Sequence, residues 1–318
     1  MVNGHGKYKT KDNPYRSTST CPLLSKALDV YIRNLHIEKW KSQQAPTQYQ
    51  GEGSSHELAA LLVTEVIQHS LYKLKQPVYL LFLDARSAFD VVVPELLLRQ
   101  MYLSGMDGNT VNYMNHRLCN RRTYIDWDRE IVGPIMDEHG LEQGGGSSGD
   151  FYKLYNNDLL LGDGQVISSI GLADDTALPA NKLSSLRNTL YLAMNYCTKY
   201  NVSLCPTKTK LLRLHNKNNC NVDLEMFNPI TIEGKQIELS DSAEHVGILR
   251  SVDGNIPNIM NRISCHTKSL GATLSVGVAR KHRANPKVGL RIEQMYAMPV
   301  LLYLVLQVLY SWSQSYPC

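Results

Sequence analysis

A run of six apolar residues that ends on a carboxylate constrains the fold of this chain more than any other stretch. Val78–Leu83 reads Val-Tyr-Leu-Leu-Phe-Leu and is followed at once by Asp84. An uninterrupted apolar run of this length is typical of a strand that is buried on both faces. The sequence therefore predicts a sheet in which a buried strand carries an acidic side chain at its end.

A second acidic feature lies at the tip of a predicted hairpin. Asp174 and Asp175 are adjacent within the stretch Gly171–Leu178, with the half-apolar, β-prone segment Val166–Ile170 before this stretch and Thr176-Ala177-Leu178 after the acid pair. Two short β-prone segments around such a pair predict two strands joined by a tight turn. Taken alone, the pair favours a solvated turn. Because adjacent carboxylates repel each other unless they share a cation, the pair together with Asp84 indicates a site for Mg²⁺ or Mn²⁺.

Composition bounds the class of protein. The chain has 318 residues, of which 43% are hydrophobic and 19% charged, and this indicates a globular protein. A net charge of +4 permits nucleic-acid binding without requiring it. Seven scattered cysteines argue against a disulfide framework or a zinc module and indicate an intracellular protein. No signal segment is recognisable, and Val300–Tyr310 is too short to span a bilayer, so no membrane partner is expected.

Four segments resemble motifs of reverse transcriptases. Leu83-Asp84 through Ala88-Phe89-Asp90 resembles motif A, and Leu172-Ala173-Asp174-Asp175 resembles motif C in the form common in non-LTR (LINE-like) retrotransposons. Lys208-Thr209-Lys210 resembles motif D. Asn13-Pro14-Tyr15-Arg16, with Ser25-Lys26 after it, resembles the start of the fingers. The resemblance covers about residues 7–305, and the order of the motifs makes it specific.

The segment in the position of motif B departs from the family pattern. Gln143 and Gly144 match, but Glu142 stands where a basic residue is usual, and Gly145-Gly146 replaces Asp-Pro. A flexible Gly/Ser linker is the alternative interpretation. We expect Glu142 to bring negative charge near a triphosphate and the glycines to organise the loop poorly, so that restoring the family residues would raise activity.

The resemblance implies an α+β fold, a right-hand polymerase with partial fingers, a palm built on an antiparallel sheet, and a thumb. The expected boundaries are 1–75 for the fingers, 76–240 for the palm with motifs A to D, and 241–318 for the primer grip and a helical thumb. Within the fingers, the capping-box spacing of Ser54 and Glu57 predicts a helix capped by Ser54.

The resemblance also implies an activity, RNA-directed DNA polymerisation in a retrotransposon protein, with an RNA template, a DNA primer and deoxynucleoside triphosphates as partners. Asp84 and Asp174, assisted by Asp175, would hold two Mg²⁺ ions, with Mn²⁺ as a substitute. Lys208 would donate a proton to the leaving pyrophosphate, and Phe89 would exclude a ribonucleotide 2′-hydroxyl. The expected nucleotide and template contacts are Arg16, Lys26, Phe89, Gln143 and Gly144.

Two other functions stay open from the sequence. The chain can be a truncated, catalytically silent remnant of an element that at most binds nucleic acid, which the altered motif B favours. It can also be a metal-dependent phosphohydrolase or a receiver-type acidic pocket. This last alternative predicts a parallel sheet, so the strand pairing of the structure tests it directly.

Overall fold

The structure is a computed structural model, and it describes residues 19–49, 55–119, 121–127, 129–161, 169–215, 230–254, 256–273 and 286–300. The predictions for the Tyr-Arg segment with Arg16 and for nearly all of the apolar stretch Val300–Tyr310 fall outside these residues.

The described residues form helices and strands in a mixed order along the chain. The α-helices are α1 Leu23–Gln43, α2 His56–Gln68, α3 Pro94–Leu103, α4 Gly108–Leu118, α5 Ser148–Leu161, α6 Leu183–Lys199, α7 Ile256–Thr273 and α8 Pro286–Ile292. The strands are β1 Val78–Leu83, β2 Arg121–Trp127, β3 Glu130–Asp137, β4 Ile170–Leu172, β5 Asp175–Ala180, β6 Lys210–Leu214, β7 Ile230–Ile232, β8 Lys235–Ile237, β9 Leu239–Ser240, β10 Ser242–His245 and β11 Ile248–Ser251. Two π-helical turns, His69–Lys73 and Glu293–Ala297, extend α2 and α8.

Five strands form the main sheet, in the order β4-β5-β1-β6-β9. β1 pairs with β6 in antiparallel register from Val78 opposite Leu214 to Phe82 opposite Lys210, whereas β6 and β9 pair in parallel. β4 and β5 are joined by two residues, a connection that only antiparallel strands can make. These pairings exclude the wholly parallel sheet that the phosphohydrolase alternative requires.

The apolar run of β1 lies at the centre of this sheet. All six of its residues are buried, as the absence of polar alternation predicts. Leu80 and Leu81 are fully buried, and so are their partners Leu212 and Leu211 on β6. The strand is therefore a rigid support for the residue that follows it, Asp84.

The start of α2 differs from the sequence prediction by one residue. Ser55, not Ser54, caps the helix, because its side chain accepts a hydrogen bond from the Leu58 backbone N–H at 3.2 Å. The pKa of Glu57 is lowered, first by a hydrogen bond to the Ser55 side chain. A serine caps the helix, as predicted, but the prediction chose the wrong one. Two consecutive serines can each act as the N-cap, so the sequence does not decide between them.

The chain divides into two compact units, each built from three separate segments. The first unit comprises Met1–Gly53, Asp84–Thr176 and Asn188–Cys205, and it contains all three predicted acidic residues. The second unit comprises Ser54–Leu83, Ala177–Arg187 and Pro206–Cys318. Whether the predicted fingers, palm and thumb follow their expected boundaries stays a prediction.

Within the described residues, none of the helices combines the length and hydropathy that crossing a bilayer requires.

Candidate active site

Asp84 is fixed in place by the backbone on both of its sides. It follows β1, and its carbonyl oxygen accepts a hydrogen bond from the Cys205 N–H at 2.7 Å. Two residues later, the Arg86 N–H donates to the Ser203 carbonyl at 2.8 Å. The start of motif A therefore lies against the segment that leads into the motif D turn. Asp84 as a whole is partly exposed, although its Oδ2 atom is buried.

The predicted acidic hairpin is present, with a turn of two residues. β4 ends at Leu172 and β5 begins at Asp175, so Ala173 and Asp174 make the turn. Ala173 has a φ of +57°, a region that residues with a Cβ rarely enter. Both aspartates are exposed at the tip of the hairpin. Strain of this kind is typical of a functional turn that its surroundings hold in place.

Tyr152 on α5 connects motif A with the acidic hairpin. The ring of Phe89 stacks on the ring of Tyr152, with centroids 4.8 Å apart and planes 18° apart. Tyr152 is 2% exposed, and its pKa is raised well above its usual value, first by burial and next by the charge of Asp174. Tyr152 therefore contacts Phe89 of motif A and feels the charge of Asp174 in motif C.

These acidic residues have some of the features of a metal site. β1 and β5 are neighbours in the sheet, with Asp84 directly after one strand and Asp175 at the start of the other. Among the residues that the structure describes, however, no three His, Cys, Asp or Glu side chains form a preformed metal cluster. Mg²⁺ at phosphoryl-transfer sites is usually bound by one or two carboxylates, with waters and substrate phosphates completing its shell. The donor chemistry therefore suits an ion that arrives with its nucleotide.

The loop in the position of motif B is attached to motif A by the backbone. The Leu141 N–H donates to the Phe89 carbonyl at 2.7 Å, and the Gly140 N–H donates to the Val92 carbonyl at 2.7 Å. The Gln143 side chain adds a hydrogen bond to the Asp90 carboxylate at 3.1 Å. The described loop is therefore ordered against the site, which argues against a free Gly/Ser linker.

Glu142 is paired with a cation that it shares with a second carboxylate. Arg117 on α4 donates to both carboxylate oxygens of Glu142, at 3.1 and 3.2 Å, and to both oxygens of Asp29, at 2.9 and 2.6 Å. Asp29 is 1% exposed. Burial raises the pKa of Glu142, but the hydrogen bonds and charge of Arg117 outweigh it, so the pKa is lowered overall. Two carboxylates and one guanidinium keep a formal negative charge, and its effect on a bound triphosphate stays a prediction.

The glycines of the loop differ in the space around them. A Cβ on Gly145 would lie 2.5 Å from Ser148 Oγ and 3.2 Å from Glu142 Oε2, whereas a Cβ on Gly146 would meet nothing within 4 Å. A side chain at position 145 therefore requires the Ser148 hydroxyl to rotate away, which is a small change at the end of a short side chain. The structure leaves open the restoration of the family residues at these two positions. The effect of that restoration on activity stays a prediction.

The basic residues of the predicted site lie on exposed elements. Lys208 is in the turn that precedes β6, and Lys26 is on the exposed side of the first turns of α1. Their proposed contacts with pyrophosphate and nucleotide stay predictions. Arg16 lies outside the described residues, and Gly144, with a φ of +108°, forms the bend of the motif B loop.

Four residues that the sequence analysis did not single out contribute to this region: Gln48, Arg117, Tyr152 and Asn156. Their side chains contact the acidic turn, Glu142, or the ring of Phe89. Tyr152 and Asn156 lie in α5, directly after the motif B loop, and this position was the available signal. Gln48 and Arg117 carry no local signal, because only the fold brings them near the motifs.

Comparisons with known proteins agree with this geometry. Residues 8–247 match the reverse transcriptase (RNA-dependent DNA polymerase) family. No curated protein gives a significant match. A mixed sheet with helices, in which the strand that ends before Asp84 neighbours the strand that begins at Asp175, fits a polymerase-type α+β protein. The chain belongs to the reverse transcriptase family, and the predicted α+β fold is confirmed.

Several solved structures that resemble the chain are telomerases. Apo telomerase from Candida Tropicalis is 12% identical with a TM-score of 0.47, over 70% of this chain and 39% of that one. Telomerase from Candida albicans in complex with a TWJ fragment of telomeric RNA is 13% identical with a TM-score of 0.45, over 92% and 47%. The corresponding Candida Tropicalis complex is 10% identical with a TM-score of 0.47, over 90% and 47%. The chain thus spans about half or less of the length of these structures.

Proposed function

We propose that this chain is an RNA-directed DNA polymerase that adds deoxynucleotides to a primer 3′-hydroxyl, and that it derives from a non-LTR retrotransposon. Membership of the reverse transcriptase family supports the reaction class. The observation that carries the proposal is the position of Asp84 directly after β1 and of Asp175 at the start of the neighbouring strand β5. The alanine-containing form of motif C supports the retrotransposon origin.

Each residue of the proposed site would have its own role in the reaction. Asp84 and Asp174, with Asp175, would hold Mg²⁺, which when bound lowers the pKa of the primer hydroxyl and neutralises the leaving pyrophosphate. Phe89, supported from behind by Tyr152, would contact the sugar of the incoming nucleotide. Gln143 and Gly144 would contact the nucleotide or the template. Lys208 would donate the proton that the leaving group needs.

A second candidate is a catalytically silent protein that binds an RNA–DNA duplex without extending the primer. The substitutions in motif B, including Glu142, favour it. The two candidates share the duplex as a partner and differ only in chemistry.

Primer extension separates the two candidates. We expect the full chain to extend a DNA primer on an RNA template with Mg²⁺ and deoxynucleotides, and the Asp84→Asn and Asp174→Asn variants to lose at least about a thousandfold in rate. Asp253→Asn is the matched control, since Asp253 is exposed in a turn of the second unit and is expected to extend normally. Duplex binding without extension by the wild type would instead establish the silent candidate.

A further inference from the structure

We infer that Gln48 and Asn156 are positioning residues for the acidic turn, because their side chains hold both backbone polar groups of Ala173. This inference deepens the proposed function and rests on it for its catalytic consequence. It concerns where the Asp174 carboxylate is placed. Neither side chain is suggested to touch the substrate.

The two hydrogen bonds act on the same residue from opposite sides. The Ala173 N–H donates to Gln48 Oε1 at 3.3 Å. The Ala173 carbonyl accepts from Asn156 Nδ2 at 3.0 Å. A turn of two residues has few bonds of its own, so these side chains decide the orientation of the peptide groups on both sides of Ala173.

Both amides are buried, with Gln48 5% exposed and Asn156 2% exposed. A buried side-chain amide that bonds to the backbone is strengthened by the low local dielectric and is costly to remove. Solvent therefore competes poorly for the N–H and carbonyl of Ala173. The aspartates of the turn are exposed, whereas the backbone of Ala173 is bonded to two buried side chains.

The elements that carry the two amides are themselves fixed to the hairpin. Residues 47–49 run parallel to β4: the Tyr49 N–H donates to the Gly171 carbonyl at 2.8 Å, and the Gly171 N–H donates to the Thr47 carbonyl at 2.9 Å. α5, which carries Asn156, packs so closely that a Cβ on Gly171 would lie 2.9 Å from the Leu160 side chain. The amides therefore cannot follow the turn if it moves.

The conformation of Ala173 explains why such support is needed. A residue with a Cβ is strained at a φ of +57°, and this conformation persists only when its surroundings impose it. Without the two amides, the turn is expected to relax toward a lower-energy backbone. Asp174, the next residue, would then move, and a displacement of about 1 Å at a reacting centre can cost roughly a hundredfold in rate.

The test uses the full chain with Gln48→Met and Asn156→Leu, which keep the approximate size of each side chain and remove the bond. The first readout is amide hydrogen exchange of the peptide that contains residues 171–175, which needs no activity. The second is the affinity for Mn²⁺, measured from the free-ion electron paramagnetic resonance signal. The third is the separate kcat and KM for a deoxynucleotide in primer extension.

We expect faster exchange in the turn, with Mn²⁺ affinity and kcat each reduced about 10- to 100-fold, as for supporting residues behind metal ligands. KM is expected to change little. Asn258→Leu is the matched control, since Asn258 is 4% exposed and its side chain accepts a bond from the Leu249 N–H in the second unit. It should lower stability without changing the turn.

The outcomes separate this inference from the proposed function. Unchanged exchange at residues 171–175 in both folded variants would overturn the positioning role. A wild-type chain that neither binds Mn²⁺ nor extends primers, with variants that do exchange faster, would overturn the polymerase activity and keep the positioning role. If one variant fails to fold, hydrogen exchange of the other variant still tests the positioning role, because each variant removes only one of the two hydrogen bonds.

Discussion

At the scale of single residues, Glu142 shows how the environment changes the meaning of a substitution. In the sequence it reads as a charge reversal at a position where the family is usually basic. In the structure it is one of two carboxylates that share Arg117, and its side chain is 20% exposed. The cation near this position is thus supplied by another helix. Charge-assisted bidentate pairs of this kind fix geometry as well as contributing energy.

Replacing Glu142 with arginine is expected to destabilise the protein by about 3 kcal/mol, because it breaks a largely buried pair and places two guanidinium groups together. Urea unfolding of the full chain measures this. Glu138→Arg makes the same change of charge at an exposed position on the same segment and should stay within about 0.5 kcal/mol of the wild type. Equal stability of the two variants would show that the Arg117 pair contributes nothing.

Phe89 is expected to determine sugar selection if the chain is active. Its ring is partly exposed and stacks on the buried Tyr152, so it has one face supported and the other available. Phe89→Val should therefore admit the 2′-hydroxyl and lower the preference for deoxynucleotides at least about tenfold in kcat/KM, or roughly 1.4 kcal/mol of discrimination. Tyr72→Val removes an exposed aromatic ring of the second unit as a control. Unchanged discrimination in single-nucleotide extension would argue against this role.

At the scale of elements, the motif B loop depends on close backbone packing at Gly140. This residue has a φ of +92°, and a Cβ here would lie 3.0 Å from the Asp90 carbonyl oxygen and 3.2 Å from that of Phe89. Gly140→Ala is expected to cost about 2–3 kcal/mol and to separate the loop from motif A. Gly234→Ala is the control that measures the cost of the backbone conformation alone. Gly234 has a φ of +75°, and a Cβ there would meet nothing within 4 Å. Chemical denaturation of both variants should show the larger loss for Gly140→Ala, and equal losses would exclude the steric contribution.

His245 at the end of β10 is expected to make the stability of the protein sensitive to mild acid. Its ring stacks on Phe82 of β1, with centroids 4.8 Å apart, and burial, followed by the charge of Arg250, lowers its pKa from 6.5 to about 3. As the pH falls, His245 therefore takes up a proton in the unfolded chain before it does so in the folded chain. The stability that this residue contributes is complete above pH 6.5 and is lost as the pH falls from 6.5 toward 3.

Between pH 7.5 and 5.5, His245 should lower the free energy of unfolding by about 1.4 kcal/mol. This is the value of one pKa unit, because pH 5.5 lies one unit below the pKa of 6.5 that the histidine has in the unfolded chain. Thermal unfolding across this range measures it. His245→Phe keeps a flat ring and should flatten the dependence by that amount, whereas His116→Gln, at an exposed position, should leave it unchanged. Parallel pH profiles for the wild type and His245→Phe would contradict the assignment.

The elements themselves were largely accessible from the sequence. The buried strand β1 and the acidic hairpin follow from local patterns of apolar and turn residues, and the structure confirms them. The cap of α2 was displaced by one residue because Ser54 and Ser55 are chemically equivalent candidates. The contacts of Arg117, Gln48 and Asn156 could not be predicted. They join positions far apart in the chain, and no local pattern encodes such a pairing.

At the scale of the whole molecule, the two compact units are interleaved in the chain. Each takes three segments, so the chain passes repeatedly from one unit to the other. The strand β6 illustrates the result, since its antiparallel partner β1 comes from a segment more than a hundred residues earlier. Such long-range pairing makes folding slow and makes each unit dependent on distant parts of the sequence.

A fragment of residues 206–318 is therefore expected not to fold, because it contains β6 and lacks β1. The free strand would expose its apolar face and its unpaired backbone groups. Circular dichroism and heteronuclear NMR would show no cooperative transition and narrow amide dispersion, in contrast to the full chain. A well-dispersed spectrum from the fragment would show instead that the second unit does not require its earlier segments.

The ribbon formed by β2 and β3 has a consequence of another kind. Along β3 nearly every residue is exposed, and apolar side chains such as Ile131, at 73%, face solvent. Because the side chains along β3 are exposed, we expect substitutions there to cost the fold little. Exposed segments of this kind tolerate changes of sequence and length better than the elements of a buried core.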